Sequence, residues 1–106
     1  MEPIFVYMTM ADEAEAEKIG RVLVESRLAA CVNMLPGMRS LYWWKGAVET
    51  GSETVLIAKT RRSLLDALTA KVRQLHSYKV PCVVALPIQG GNPDFLAWLE
   101  EETRSS

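Results

Sequence analysis

An α+β domain is what this sequence predicts, and three observations predict it. Short runs of β-branched and aromatic residues alternate with longer segments of helical period. The order is β-α-β-β-α-β, closed by one more helix. The centre of the chain, Ala29 to Thr60, reads as a single long β-hairpin whose apolar tip extends past anything the helices can cover.

Ile4 to Thr9 is a short apolar run suited to a strand. Asp12 with Glu15 three residues on has the form of a capping box, with Asp in place of Ser or Thr. The helix it opens runs to about Ser26, with Ala16, Ile19, Val22 and Leu23 on one face and Glu13, Glu17, Arg21 and Glu25 largely on the other. The first hairpin arm runs from about Ala29 to Val48. Pro36-Gly37 interrupts its ladder, because proline has no N–H and glycine tolerates positive φ, so a bulge or bend is expected there. Thr50-Gly51 is the expected turn. The second arm, Glu53 to Thr60, sets Val55, Ile57 and Lys59 on one face and Thr54, Leu56 and Ala58 on the other.

A helix follows from about Arg62 to Leu75, with Leu65, Leu68, Val72 and Leu75 as its buried stripe. His76 to Pro81 is a connector. Cys82 to Leu86 is a continuous apolar run, expected as a strand buried on both sides or at a subunit contact. Asn92-Pro93-Asp94 starts the last helix, with Asn as N-cap and Pro at the first helical position. Phe95, Leu96, Trp98 and Leu99 are expected to face inward from it. Glu100, Glu101 and Glu102 stand at its C-terminal end, the wrong sign for the helix dipole.

Two split βαβ halves in this order build a ferredoxin-like antiparallel sheet with its helices on one face and a long protruding hairpin. A first arm of roughly 20 residues would span about 65 Å. A helix of about 15 residues covers only about 22 Å. The overhang carries Leu41, Tyr42, Trp43 and Trp44, and exposed apolar load of that kind marks an interaction surface. Other copies of the chain covering the hairpin are the simplest solution, so a homo-oligomer is expected. If Thr50-Gly51 is a two-residue turn, Val48 faces Glu53, Trp44 faces Ile57 and Tyr42 faces Lys59. Ser40, Tyr42, Trp44, Glu53 and Lys59 then share one face.

Composition narrows the function classes. The chain has 106 residues, the size of one domain (1–106), and 49% of them are hydrophobic against 24% charged, an ordinary globular balance. A net charge of −1 speaks against a nucleic-acid partner, which calls for a basic surplus. No run approaches the roughly 18 apolar residues of a membrane span. The start, Met1 to Tyr7, lacks the basic region of a signal peptide. Two cysteines, Cys31 and Cys82, are too few for a disulfide framework, so a reducing cytoplasm with both thiols free is expected.

The order and spacing of several motifs resemble those of the CutA family of divalent-cation tolerance proteins. They are Ala29-Ala-Cys31-Val-Asn33, Pro36-Gly37, Ser40-Leu-Tyr42-Trp-Trp44-Lys-Gly46, Glu53 and Lys59-Thr60. His76-Ser-Tyr78-Lys-Val80-Pro81 is similar to that family's His-Pro-Tyr-Glu-Val-Pro segment, and Asn92-Pro-Asp-Phe-Leu-Ala-Trp-Leu to its terminal helix. The resemblance covers nearly the whole chain. It implies a ferredoxin-like subunit in a tight homotrimer, a link to tolerance of copper and other divalent metals, and no established catalytic activity. It implies no obligatory cofactor, with copper or another divalent ion as the candidate ligand. Three positions depart from the family pattern: Ser77 for the usual Pro, Lys79 for the usual Glu, and Cys82 for an acidic or polar residue. Two of these changes remove carboxylates from the connector, while Cys82 adds a soft ligand there.

Two candidate sites follow. Tyr42, Trp44, Glu53, Lys59 and Tyr78 form a cluster suited to a pocket between subunits, with aromatic walls and a few convergent polar groups. The plainer reading is an interface in which Glu53 and Lys59 simply pair. His76, Cys31 and Cys82 are the metal-ligand candidates. Against them stand a polar residue closing the preceding helix and two small buried hydrophobes. No His-x-x-x-His or Cys-x-x-Cys spacing is present. Met8, Met10, Met34 and Met38 fit core filling better than copper binding.

A PII-type regulatory trimer that senses a small molecule shares the predicted topology and is the alternative reading, by fold analogy alone. An RNA-recognition module lacks here the base-stacking aromatic consensus. An acylphosphatase-like enzyme would need an Arg-bearing, Gly-rich phosphate loop that Thr9-Met-Ala-Asp does not supply.

Overall fold

The computed structural model describes residues 1–104. In chain order the elements are β1 (Pro3–Met10), α1 (Glu13–Glu25), β2 (Cys31–Trp44), β3 (Ala47–Arg61), α2 (Leu65–Leu75), β4 (Val83–Pro87) and α3 (Pro93–Glu102). A short 3-10 turn, Arg62–Leu64, leads into α2. The four strands form one antiparallel sheet in the order β2-β3-β1-β4, the arrangement expected of the βαββαβ order. Among the described residues no helix is long and apolar enough to cross a membrane.

Strand alternation divides the sheet into two faces. Ile4, Val6, Met8 and Met10 of β1 and Leu56 and Ala58 of β3 point to one face and are buried. Against them pack Ala16, Ile19 and Leu23 of α1 and Leu68 and Val72 of α2. Gly20 lets α1 come close to the sheet: a Cβ there would stand 3.0 Å from Val32 Cγ2. Asp12 caps α1 by accepting from the Glu15 N–H at 2.8 Å. Phe5, Tyr7 and the odd-numbered residues of β3 turn to the opposite face, which α1 and α2 do not touch.

The hairpin differs from expectation in its turn. Lys45-Gly46, not Thr50-Gly51, reverses the chain, pairing Trp44 with Ala47 and Tyr42 with Glu49. Both turn residues have positive φ, 49° and 82°, as the tight hairpin turn that matches strand twist requires. Gly51 sits inside β3 instead, with the Tyr42 ring lying 3.8 Å from where its Cβ would be. β2 is therefore 14 residues long, shorter than the expected arm, and the longest dimension of the molecule is 44 Å. The bulge falls where expected. Leu35 pairs with Val55 and Met38 with Glu53, so Pro36 and Gly37 together face Thr54 alone. Gly37 has φ 78°.

The overhang is present. Leu41 and Trp43 are 76% and 75% exposed, beyond the reach of the helices, and Tyr42, Trp44 and Val48 are also exposed. β4 is an edge strand in the single chain, with Val84 and Leu86 52% and 54% exposed, so it is not buried on both sides. α3 also departs from expectation. Leu99 alone of its apolar residues is fully buried, Leu96 is half-buried, and Phe95 and Trp98 stay exposed with their rings 5.5 Å apart. A ten-residue helix at one end of the sheet has only a narrow contact stripe to bury. Its acidic end is compensated within the chain. Arg27 pairs with Glu102 at 2.9 Å, and Arg61 donates to the Glu100 carbonyl and to Thr103 Oγ1.

The turn supplies a test by paired substitution. Lys45→Asn suits positive φ better and should raise stability by roughly 0.5 kcal/mol. Gly46→Ala should lower it by about 1 kcal/mol. Urea unfolding of both variants measures the difference, and equal midpoints would contradict a positive-φ turn at these two positions.

Candidate functional site

The open sheet face ends, on the hairpin side, in a cleft of about 700 Å³. The bulge creates it. Before Pro36 the odd residues of β2 lie on this face; after Gly37 the even ones do, so Met38, Ser40, Tyr42 and Trp44 stand beside Glu53. β1 contributes Tyr7 and Thr9, and the connector after α2 roofs the cleft with Tyr78, Lys79, Val80 and Cys82.

Glu53 is the centre of its polar network. Oε1 accepts from Ser40 Oγ at 2.7 Å and Oε2 from the Tyr78 hydroxyl at 3.0 Å. Burial, the hydrogen bond to Glu53 and the negative charge of that carboxylate push the Tyr78 phenol up to about 12. Burial also pushes the Cys82 thiol up, and the Glu53 charge adds to the effect. Both groups therefore keep their protons at neutral pH. Tyr7 donates to Met38 Sδ at 3.3 Å.

Two clasps hold the roof. The Tyr78 N–H donates to His76 Nδ1 at 2.9 Å, which leaves Nε2 to carry the ring proton and donate to the Thr9 carbonyl at 2.8 Å. The second clasp is Glu15, whose Oε1 accepts from the Ala11 N–H at 3.0 Å and Oε2 from the Ser77 N–H at 2.7 Å. Partial burial pushes its carboxyl up, but these hydrogen bonds and the nearby His76 outweigh that and set it below the usual 4.5.

Of the five pocket candidates, four meet here: Tyr42, Trp44, Glu53 and Tyr78. Lys59 does not, within one chain. It shares the sheet face of Glu53, but six residues along a strand is about 20 Å. Its Nζ donates to Asn33 Oδ1 at 2.8 Å and lies 5.8 Å from the Phe95 ring centre, so Glu53 and Lys59 are not paired. A second, more open groove of about 710 Å³ runs between α1 and the β2 edge, lined by Glu13, Glu17, Val32 and Asn33 without an aromatic wall.

Over residues 4–102 the chain matches a family model described as CutA1 divalent ion tolerance protein. The chain belongs to the CutA1 family. It is 50% identical over 103 residues to Protein CutA 1, chloroplastic, of Oryza sativa, an alignment covering 97% of this chain and 58% of that protein. It thus spans under two thirds of that relative's length. A crystal structure of CutA1 from Oryza sativa superimposes with a TM-score of 0.96 at 48% identity, covering 100% of this chain and 97% of that one. The periplasmic divalent cation tolerance protein CutA from Archaeoglobus fulgidus gives a TM-score of 0.94 at 39% identity, covering 96% and 99%. These likenesses carry the CutA1 assignment and lend no support to the PII-type alternative.

The metal candidates do not converge in a CutA1 chain folded this way. Cys31 lies on β2 and Cys82 just before β4, at the two outer edges of the sheet, and three strand spacings across with four residues along set them about 20 Å apart. Both ring nitrogens of His76 are engaged by backbone. Among the described residues no group of three or more His, Cys, Asp or Glu side chains is placed to hold an ion. Sequence reasoning missed Tyr7, Thr9 and Arg39 as cleft residues and Glu15 as a clasp. Period-two alternation in β1 already places Tyr7 and Thr9 on the face away from the buried even residues. Nothing local in the sequence announces that Glu15 meets Ser77 across 62 positions.

Two titrations follow from this geometry. In carbon-13 spectra of the tyrosine rings, one signal should stay unmoved to about pH 11. Glu53→Gln should lower its midpoint without restoring 10.0, because burial persists. A Tyr78 signal indifferent to Glu53 would remove the network. For Glu15 the folded value lies below the unfolded one, so the unfolded chain takes up the proton first as pH falls. Its stabilising contribution is present above the unfolded pKa and is lost as pH falls through the folded pKa. Acid unfolding followed by circular dichroism should therefore be less steep with pH in Glu15→Gln, and identical slopes would count against the clasp.

Proposed function

We propose that the chain serves divalent-cation tolerance by binding rather than by catalysis, as a homotrimer whose subunits cover one another's hairpins and open sheet faces. The observation that carries this is the exposure of Leu41 and Trp43 at 76% and 75%, in a strand hairpin that no helix of its own chain reaches. Residues of that size stay out of water when a second surface covers them. The unpaired outer edges of β2 and β4 offer backbone groups for the same contact. Three is the number of copies that the CutA resemblance implies.

In this reading the cleft bounded by Tyr42, Trp44, Glu53 and Tyr78 is the ligand site, and assembly closes it. Direct ion contact is assigned to Cys31 and Cys82 only where copies meet, since one chain holds them on opposite edges. Copper or another divalent ion is the metal concerned. The cytoplasm is the location proposed, on the strength of two free cysteines.

Sedimentation equilibrium tests the assembly. Wild type should run at three times the 11.8 kDa of the chain. Trp43→Ala with Trp44→Ala should shift the mass downward while far-ultraviolet circular dichroism stays native-like. A monomeric wild type, or a double variant that remains fully trimeric, would overturn the assembly role of the hairpin.

A further inference from the structure

The charge inside the cleft says what kind of molecule it takes. Glu53 is the one carboxylate among its lining residues and is half-buried. Among the described residues it belongs to none of the four ion pairs, so no cation of its own chain answers it there. Its negative charge is felt at two walls of the cleft, where it helps to push the Tyr78 phenol and the Cys82 thiol up. Two positive side chains border the cleft, and neither pairs with this carboxylate. Arg39 stands opposite Ser52, and strand alternation turns it to the far face with Leu41 and Trp43. Lys79 is exposed on the connector.

The carboxylate also has acceptor sites to spare. Its two oxygens accept one hydrogen bond each, from Ser40 Oγ at 2.7 Å and the Tyr78 hydroxyl at 3.0 Å, out of about four lone-pair sites in all. Holding the roof calls only for an acceptor, and a neutral amide would serve without withdrawing a charge from water. Aromatic rings frame what remains. Tyr42 stands opposite Glu49, yet its Cε1 and hydroxyl lie 3.8 Å from where a Gly51 Cβ would be, so the ring leans along the hairpin toward Glu53. The Tyr78 ring rests against His76, centroids 4.7 Å apart, and Trp44 lines the cleft one step nearer the hairpin turn.

We propose that this cleft binds an organic ammonium ion with an apolar body, its N–H groups donating to Glu53 and its body lying against Tyr42, Tyr78 and Trp44. The proposal rests on the cleft being the ligand site and adds the class of ligand. An ammonium gains charge-assisted hydrogen bonds from the carboxylate and attraction from the negative faces of the rings. The rings in turn cover the apolar surface that such a molecule brings with it. A bare divalent ion is disfavoured at the same place. It needs several ionised or soft ligands, and it would find one carboxylate beside a phenol and a thiol that hold their protons. Lys79 stands where the family pattern usually has Glu. Its charge repels the ammonium and so weakens a preference that Glu53 sets.

Isothermal titration calorimetry at neutral pH and low salt tests this with three matched probes: 3-phenylpropylamine, its neutral analogue 3-phenylpropan-1-ol and its anionic analogue 3-phenylpropionate. The amine should bind wild type at least about tenfold more tightly than the alcohol, and the carboxylate should bind more weakly than either. Glu53→Gln should bring the amine down to the level of the alcohol and leave the alcohol unchanged. Lys79→Gln should tighten the amine by roughly twofold to fivefold and leave the alcohol unchanged. Circular dichroism checks that each variant is folded. Equal affinity for the three probes, preference for the carboxylate, or amine binding untouched by Glu53→Gln would overturn the proposal. Should Glu53→Gln lose the alcohol as well, Lys79→Gln decides: a gain confined to the amine upholds the ammonium site, and no gain overturns it. Tyr42→Ala separates the two readings, because it should weaken amine and alcohol alike. Probe binding that Tyr42→Ala leaves untouched removes the cleft as the ligand site, whereas binding that it weakens without any preference for the amine removes the ligand class alone.

Discussion

One extra residue in β2 decides what the hairpin presents. Strand side chains alternate, so an insertion exchanges the faces of everything beyond it. Pro36 and Gly37 facing Thr54 alone is that insertion. Without it, Leu41 and Trp43 would stand beside Glu53, and Tyr42 and Trp44 would lie on the far side. Ser40 would lose Glu53, and the cleft would lose its aromatic wall. The proline ends one stretch of ladder because it has no N–H, and the glycine takes the positive φ that closes the kink. Two residues thus govern the chemistry of a surface built from many others.

The polar part of that surface is held in few, well-satisfied contacts. Glu53 has both oxygens occupied, and His76 has both ring nitrogens occupied. Groups so engaged rigidify their surroundings and have little left to offer a metal. The apolar part is the reverse. Leu41, Trp43, Val84 and Leu86 are left open by their own chain. Polar side chains of the cleft that are satisfied within the chain, beside apolar residues left open, are the contrast on which the proposed assembly rests.

Much of the fold was legible because it follows from periodicity and punctuation. The apolar run of β1, the two faces of β3, the Asp12 cap and the Asn92-Pro93 start are all local signals. The turn was misplaced because Thr50-Gly51 has ordinary turn residues, whereas Lys45 adopts positive φ without being a residue type that favours it. The face assignment of Tyr42, Trp44 and Glu53 nonetheless survives. Expected and observed registers differ by an even number of residues, which preserves alternation. Distance along the strand was not preserved, and that is why Lys59 falls outside the cleft. The Glu15 and His76 clasps were not legible at all. They join segments far apart in the chain, and only the packing of α1 and α2 on one sheet brings them together.

The bond between Glu15 and the Ser77 N–H gives the departure at position 77 a physical meaning. A proline there, as in the family pattern, would stiffen the connector by restricting the unfolded chain. That device works through entropy, needs no partner and is indifferent to protons. Proline also has no N–H, so it could not make this contact. Serine gives up the entropic restraint and gains a donor, which Glu15 takes up at 2.7 Å. The same stretch of roof is thus held by a folded-state bond in place of an unfolded-state restriction. Its rigidity becomes a property that a neighbouring carboxylate, and the acidity of its surroundings, can set.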